Sequence, residues 1–373
     1  MISGDKSLAE GKRGAFYNTL EEFHKYWDRI DIICPRIVNN KWKLANRESN
    51  YRLLITNYFG NVFVHPSPWP LILQPFWILK KGKQIYKEQR FNLMTVHEYP
   101  PFYNGIGARL LWNKIKTPYV LEIMHITGYP KAANAREEIY KTLLNFFIKA
   151  DSSKAKAVRV INENQTPGFL IKAGVAREKL IYIPAFYIDL NIFRPRESEK
   201  EYDLIFIGRL AENKGIDLFL ETARRLGAKT AIVGDGPLKR KIESRIKNYE
   251  FGGRVILRGW VEGSEEVAEL LNRSRVLVMP SYNEGGPRVV LEAMACGVPV
   301  LATPVGIVPD IIKDGESGRI IDWSAKDIVW KAGGLLDNKD EYDKYRFAGL
   351  EIVKQFERKE AIKNYADKLQ SLI

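Results

Sequence analysis

Short apolar runs alternate with longer stretches of helical spacing along the whole chain. In the second half the runs are 203–207 (DLIFI), 230–233 (TAIV), 255–258 (VILR), 275–279 (RVLVM), 298–302 (VPVLA) and 319–322 (RIID). Each is rich in Val, Ile or Leu and too short for a helix. Stretches with helical spacing, such as 215–226 and 237–247, separate most of them. Strand, helix, strand in repetition predicts a doubly wound parallel sheet. Near-continuous apolar strands fit a sheet covered on both faces.

The first half repeats the scheme less cleanly, with expected strands at 30–34, 61–65, 92–97, 118–124, 157–161 and 180–183. Its first strand is reduced to the few residues Met1–Ser3. The two halves read as two copies of one architecture, 1–190 and 200–350. Between them, 184–202 carries two prolines and a charge run, which suits a linker. An amphipathic helix follows at 356–372, and 355–373 is expected to cross back to the first domain. Open α/β sheets bind ligands outside the carboxyl ends of their strands. Two such domains facing one another predict a deep cleft with its working residues at strand ends.

A length of 373 residues agrees with two domains. The 45% hydrophobic content excludes a disordered chain. The net charge of +13 is unevenly placed: residues 1–200 hold 31 basic and 18 acidic side chains, and residues 201–373 hold 27 of each. The two halves should therefore meet different partners. Two cysteines, Cys34 and Cys296, lie far apart on apolar stretches. They exclude a disulfide scaffold and a Cys-based zinc site and point to a reducing compartment. No apolar run reaches the ~18 residues a spanning helix needs. The N-terminus lacks the apolar core of a signal peptide. A cytoplasmic location is expected, with contact to the inner face of the membrane as an extension of it.

Candidate chemistry gathers at the expected strand ends. DLIFI runs into Gly208-Arg209 and then LAENKG, with Lys214. Glycine after a strand lets a ligand approach the backbone. Arg209 and Lys214 can both reach one anionic group, or they are solvated charges of an ordinary loop. In SYNEGGPRVVLEAMACGVPV, Pro287 opens a helix and Gly297 closes it. Gly285-Gly286 bare the backbone at that helix's N-terminus, where free N–H groups and the dipole favour an anion. Glu292 is the polar exception on the apolar stretch VVLEAMAC, which is costly unless something satisfies it. It is either bonded to a neighbouring loop or an acceptor for ligand hydroxyls. Glu284 stands at the strand-end rim. His125 follows an apolar strand and precedes a Gly/Pro loop, so it should face the cleft; His65 and His97 also follow apolar runs. Gly14 closes GKRG in the first loop, whose spacing does not match the dinucleotide fingerprint. No metal-ligand cluster, nucleophile elbow or Walker loop is present in the sequence.

These residues carry a resemblance. Glu284-x7-Glu292, in NEGGPRVVLEAMACGVPVLATPVG, resembles the Glu-x7-Glu signature of retaining GT-B glycosyltransferases, especially glycosyltransferase family 4 (glycosyl transferases group 1). FIGRLAENKG resembles that family's diphosphate-binding loop. VGDGP, VILRGWV, VLVMPS and IIKDGESGRII follow in the family's order, and DLNIFRP resembles the end of its first domain. The match is strong over about 203–322 and weaker before it. It implies an α/β fold of GT-B architecture, two Rossmann-like doubly wound domains facing an interdomain cleft. The first would bind acceptor and the second a nucleotide sugar.

By the same resemblance the protein is a metal-independent, retaining hexosyltransferase that needs no cofactor. Arg209 and Lys214 bind the donor diphosphate, and Glu292 accepts from the ribose hydroxyls. Glu284 and the backbone of Gly285, Gly286 and Gly208 contact donor sugar or phosphate. His125 stands beside the sugar, and the base rests near Gly259–Val261. Where the family has adjacent glycines in its first loop, this chain has Gly11-Lys-Arg-Gly14, which leaves Gly14 as a donor contact open. Competing readings are another GT-B enzyme, such as a sugar-nucleotide epimerase or a phosphorylase, and a catalytically silent binding protein for sugar nucleotides or membrane glycans.

The basic half bears on the acceptor. Residues 62–90 set Trp69, Phe76 and Trp77 beside a Lys/Arg cluster. Such a helix either lies on an anionic bilayer surface or packs on the first domain with its basic end solvated. Lys114, Lys116, Lys149, Lys154, Lys156 and Arg159 add to the same domain's charge. A lipid-linked or anionic glycan in cell-surface glycan synthesis suits that balance. Nucleic acid is not expected, since no recognition motif accompanies the charge.

Overall fold

The computed structural model describes residues 1–36, 56–248 and 251–373. The first half builds β1 (Ile30–Cys34), β2 (Thr56–Tyr58), β3 (Val62–Pro66), β4 (Met94–His97), β5 (Tyr119–Ile123), β6 (Ala157–Val160) and β7 (Leu180–Tyr182). They pair in the orders β2-β3-β1 and β4-β5-β6-β7. Ile2 closes the gap between the two sets, bridging Ile33 on one side and Val96 on the other. Its N–H donates to Thr95 O (2.7 Å), and the Ser3 N–H to Ile33 O (2.9 Å). The reduced first strand is thus the centre of the sheet. All pairs are parallel except β2 with β3. The short polar run TNY of β2 carries no apolar pattern and was not among the expected strands.

The second half builds β8 (Tyr202–Ile207), β9 (Thr230–Val233), β10 (Val255–Gly259), β11 (Ser274–Met279), β12 (Val300–Ala302) and β13 (Arg319–Ile320). The sheet is parallel, in the order β10-β9-β8-β11-β12-β13. β12 starts two residues later than the apolar run 298–302 because Pro299 has no N–H for the ladder. Strand order reverses between β8 and β11, which opens a crevice at their carboxyl ends. Two Rossmann-like sheets joined this way form the GT-B architecture.

The linker 184–202 is packed over its first ten residues and exposed over 194–200. Phe186, Ile188 and Phe193 join the second domain's core, and Tyr187 the first's. The helix Arg358–Gln370 lays Ile362, Tyr365, Ala366 and Leu369 against Leu20 and Phe23 of the first domain. The Tyr365 ring stacks on Phe23 with centroids 4.8 Å apart. Where the chain returns, the Ile188 N–H donates to Phe356 O (2.8 Å), and the Arg358 N–H to Ile188 O (3.1 Å). The two crossings between the domains therefore run side by side.

Register explains one departure in charge. Pairing of β4 with β5 and β5 with β6 sets His97, Glu122 and Arg159 in one row. Arg159 is only 2% exposed and adds nothing to the surface surplus. Its Nη1 meets Glu122 Oε1 at 2.7 Å, and its Nε and Nη2 donate to Ile183 O and Pro184 O. Glu122 also meets His97 Nε2 (2.7 Å) and accepts from the Tyr365 hydroxyl (2.7 Å). Burial alone would raise the Glu122 carboxyl, but His97 and Arg159 prevail and hold it at about 2.

The helix Gln74–Glu88 packs Trp77, Ile78 and Ile85 inward. Leu71, Ile72, Leu73 and Phe76 at its leading end are exposed, Ile72 by 67%. Lys80, Lys83 and Lys87 follow on the exposed side. Among the described residues no helix is long and apolar enough to cross a membrane.

Candidate active site

The crevice is built by the loops after β8 and β11. Gly208 and Arg209 follow β8, and a 3-10 turn over Glu212–Lys214 leads to Gly215. Gly215 has φ +66°, and a Cβ there would lie 2.0 Å from Pro280 O. Only glycine permits this approach, which sets Lys214 over the end of β11. The Tyr282 N–H donates to Asn213 O (2.8 Å) and locks the two loops together. Lys214 Nζ then donates to Glu284 Oε1, which also accepts from Ser281 Oγ (3.1 Å). Ser281 O is itself held by Thr303 Oγ1 (2.6 Å) and the indole N–H of Trp323 (2.9 Å).

A cavity of about 260 Å³ opens here, lined among others by Gly208, Lys214, Ser281, Glu284, Gly286 and Arg288. The helix Arg288–Ala295 starts at its wall, with Pro287 as the N-cap residue and Gly297 beyond its end at φ +68°. Four residues singled out in the sequence, Gly208, Lys214, Glu284 and Gly286, thus share one cavity. Arg209 follows directly on Gly208; its side chain is exposed and has no hydrogen-bond or ion-pair partner among the described residues.

Glu292 lies one helical turn behind Arg288. No hydrogen bond or ion pair to its carboxylate occurs among the described residues, so the neighbouring-loop alternative finds no support. Burial raises its pKa from 4.5 to about 7, against a smaller opposing pull from Arg288. The Cβ side of Gly285 is not open to a ligand. A Cβ on it would lie 1.9 Å from Met124 O, so it marks a close approach of the second domain to the first.

His125 enters from the first domain just beyond β5. Its Nε2 lies 3.0 Å from Oδ1 of Asn283. The Asn283 amide nitrogen donates to Lys131 O (2.9 Å) and Glu137 Oε2 (2.8 Å), which leaves Oδ1 as the acceptor. This assigns the proton to His125 Nε2. Burial lowers the His125 pKa below 6.5; Lys214 lowers it further, while Glu284 and the bond to Asn283 oppose. The imidazole is therefore a neutral donor placed beside the Lys214–Glu284 pair. Gly14 lies apart from this group. It precedes the first turn of the helix Ala15–Phe23, and nothing lies within 4 Å of a Cβ built on it. Lys12 of the same loop pairs with Glu10 (2.8 Å), and Arg13 lies over the Tyr17 ring.

Two contributors were not singled out in the sequence. Asn283 makes all three of its bonds across the domain interface, and its only signal was a polar residue beside Glu284. Arg288 lines the cavity at the first helical position, directly after the helix-opening Pro287. Among the described residues no group of three or more His, Cys, Asp or Glu side chains is arranged to hold a metal.

Residues 188–351 match the model of the family described as glycosyl transferases group 1. An uncharacterized glycosyltransferase of Methanocaldococcus jannaschii is 26% identical over 353 residues, covering 90% of this chain and 92% of that one. Among solved structures, the sucrose-phosphate synthase of Thermosynechococcus elongatus superposes with a TM-score of 0.82 at 18% identity, covering 100% and 98% of the two chains. Anabaena HepE, solved with UDP and glucose, superposes with a TM-score of 0.73 at 16% identity, covering 100% and 98%. At these identities the two structures speak for the fold.

Proposed function

We propose, from the match of residues 188–351 to the glycosyl transferases group 1 model and from the site geometry, a retaining hexosyltransferase using a nucleotide-diphosphate sugar. The observation that carries the reading is the meeting of Lys214, Glu284 and Gly286 in one cavity at the β8/β11 crevice, with His125 brought in from the facing domain. In this reading Arg209, Lys214 and the N-terminus of the helix Arg288–Ala295 take the donor diphosphate. Glu292, which has no partner of its own, accepts from the ribose hydroxyls. Glu284 and the backbone at Gly286 lie beside the sugar. The Nε2–H of His125 becomes available to a sugar oxygen once Asn283 yields it.

The bond between the anomeric carbon and the diphosphate oxygen breaks, and the acceptor oxygen bonds to that carbon from the same face. The acceptor's proton passes to the departing phosphate. Charge on the leaving group is stabilised by fixed cations and backbone dipoles that need no reorganisation. Lys214, neutralised by Glu284 in the free protein, is released to the phosphate as the donor enters. No metal is assigned to this step, and no resident cofactor.

The acceptor in this reading is an anionic or lipid-linked glycan of the cell surface, met at the cytoplasmic face of the membrane. The exposed group Leu71, Ile72, Leu73 and Phe76, followed by Lys80, Lys83 and Lys87, supports it, because apolar side chains beside a basic row suit an anionic bilayer. The test is incubation of the protein with UDP-, GDP- and ADP-hexoses, following release of nucleoside diphosphate by ion-exchange chromatography. One donor should bind and be turned over slowly even by water. Neither binding nor release with any donor would refute the enzyme.

A further inference from the structure

Arg288 has no counterpart in the roles given so far. It is a half-buried guanidinium at the wall of the donor cavity, yet it has no ion-pair or hydrogen-bond partner among the described residues. Glu292, one turn along the same helix, is not within ion-pair distance of it. Instead the guanidinium lies over the Tyr187 ring, with Cζ 4.9 Å from the centroid. Stacking of this kind holds the group in place while its five in-plane N–H donors stay free for an anion.

Its position separates it from the diphosphate cations. Arg209 and Lys214 approach from the β8 loop. Tyr187 lies in the connection between the domains, where its hydroxyl is 3.4 Å from Thr19 Oγ1 of the first domain. Tyr187 also lines a second cavity, of about 90 Å³, together with Phe16, Thr19, His97 and Met124. The stacked pair therefore stands between the donor cavity and the cavity of the facing domain. A second guanidinium, that of Arg358, also meets the Tyr187 ring (5.7 Å), but its charge is met by Glu21 at 2.6 Å. Among the described residues no carboxylate pairs with Arg288.

We propose that Arg288 reads a second anionic group, a carboxylate or phosphate on the transferred sugar or on the acceptor, in addition to the donor diphosphate. The inference rests on the donor-site reading above and goes beyond it by assigning the charge of what is transferred or receives the transfer.

Calorimetric titration of the whole protein tests this in two arms. The donor arm compares UDP-glucuronate with UDP-glucose. The acceptor arm compares glucose 6-phosphate with glucose on UDP-saturated protein. In one arm the anionic ligand should bind about tenfold tighter or more than its neutral partner, the worth of one charge-assisted pair. That ratio should fall to about one in Arg288→Met and be partly kept in Arg288→Lys, and the arm in which it does so identifies the bearer of the anion. Circular dichroism confirms that each variant is folded. Preference for neither anion, or a preference that survives Arg288→Met, overturns the inference while leaving the donor site standing. Both arms use the nucleotide that the donor panel selects in place of UDP where that differs, and failure of the native protein to bind any UDP-, GDP- or ADP-sugar overturns both readings.

Discussion

Glu292→Gln separates a carboxylate that serves a ligand from one that serves the fold. The native carboxyl is raised by burial to about 7 and has no partner of its own. With that value about a tenth of it is ionised at pH 6 and about nine-tenths at pH 8. If the ionised form accepts from the ribose hydroxyls, affinity for UDP-glucose should rise about tenfold over this interval, since only the competent fraction binds. The diphosphate diester of the ligand does not titrate there. Glutamine keeps an acceptor oxygen but cannot titrate, so the slope should vanish in the variant. Stability should move the other way. Below the ordinary value of 4.5 the carboxyl is neutral in both folded and unfolded states and costs nothing. Between there and 7 the unfolded chain ionises and the folded one does not, so stability falls by about 1.4 kcal/mol per pH unit, about 3 kcal/mol in all, and is flat above. Glu292→Gln should thus be more stable than the native protein by up to that amount at pH 8 and no more stable at pH 4, in urea denaturation. Equal affinity of the native protein for UDP-glucose at pH 6 and 8, or a slope that persists in the glutamine variant, would refute the placement.

Arg209→Ala should lower kcat/KM by roughly 100-fold or more, as for other groups that stabilise a leaving charge; a loss below threefold would remove Arg209 from the diphosphate. Glu122→Gln leaves Arg159 buried beside a neutral amide and should cost about 3–5 kcal/mol in urea denaturation; a cost under 1 kcal/mol would show that His97, Arg159 and Tyr365 re-pair without it. Gly285→Ala brings a Cβ against Met124 O, so small-angle scattering should show a larger radius of gyration, and an unchanged profile would mean that the loop yields instead. Replacing Ile72 and Phe76 together by Glu should weaken sedimentation with phosphatidylglycerol vesicles by about tenfold or more, since each buried apolar side chain contributes about 1.5–3 kcal/mol; equal sedimentation would exclude this surface as the membrane contact.

Much of the fold was legible because buried parallel strands are short apolar runs, and those runs recur with little else between them but helices. What escaped follows from the same physics. β2 is three polar-leaning residues held by an antiparallel neighbour, and a strand that short carries no period. Arg159 read as surface charge because basic residues are rarely buried; its inward direction depends on cross-strand register with Glu122, which no local pattern encodes. Lys214, Glu284 and Gly208 could be named because the chemistry of a strand-end loop is local. Asn283 and Arg288 could not. One owes its contacts to the facing domain and the other its placement to a tyrosine about a hundred residues earlier in the chain. Gly285 gained a second reading for a related reason: bare backbone at a helix start suggests a ligand, and here the carbonyl of Met124 fills the space a Cβ would take.

The paired crossings at Ile188 and Glu357 have a mechanical consequence. Two polypeptide spans tied to each other by backbone bonds act as a single axle, whereas one span would act as a swivel. Opening the domains about that axle leaves its bonds intact; twisting them about the long axis of the molecule would shear the bonds from Ile188 to Phe356 and Arg358. Motion is thereby reduced toward one angular coordinate. An opening about that axle would part His125 from Asn283 and return it along one arc, so the site would reassemble in register without any searching by the loops.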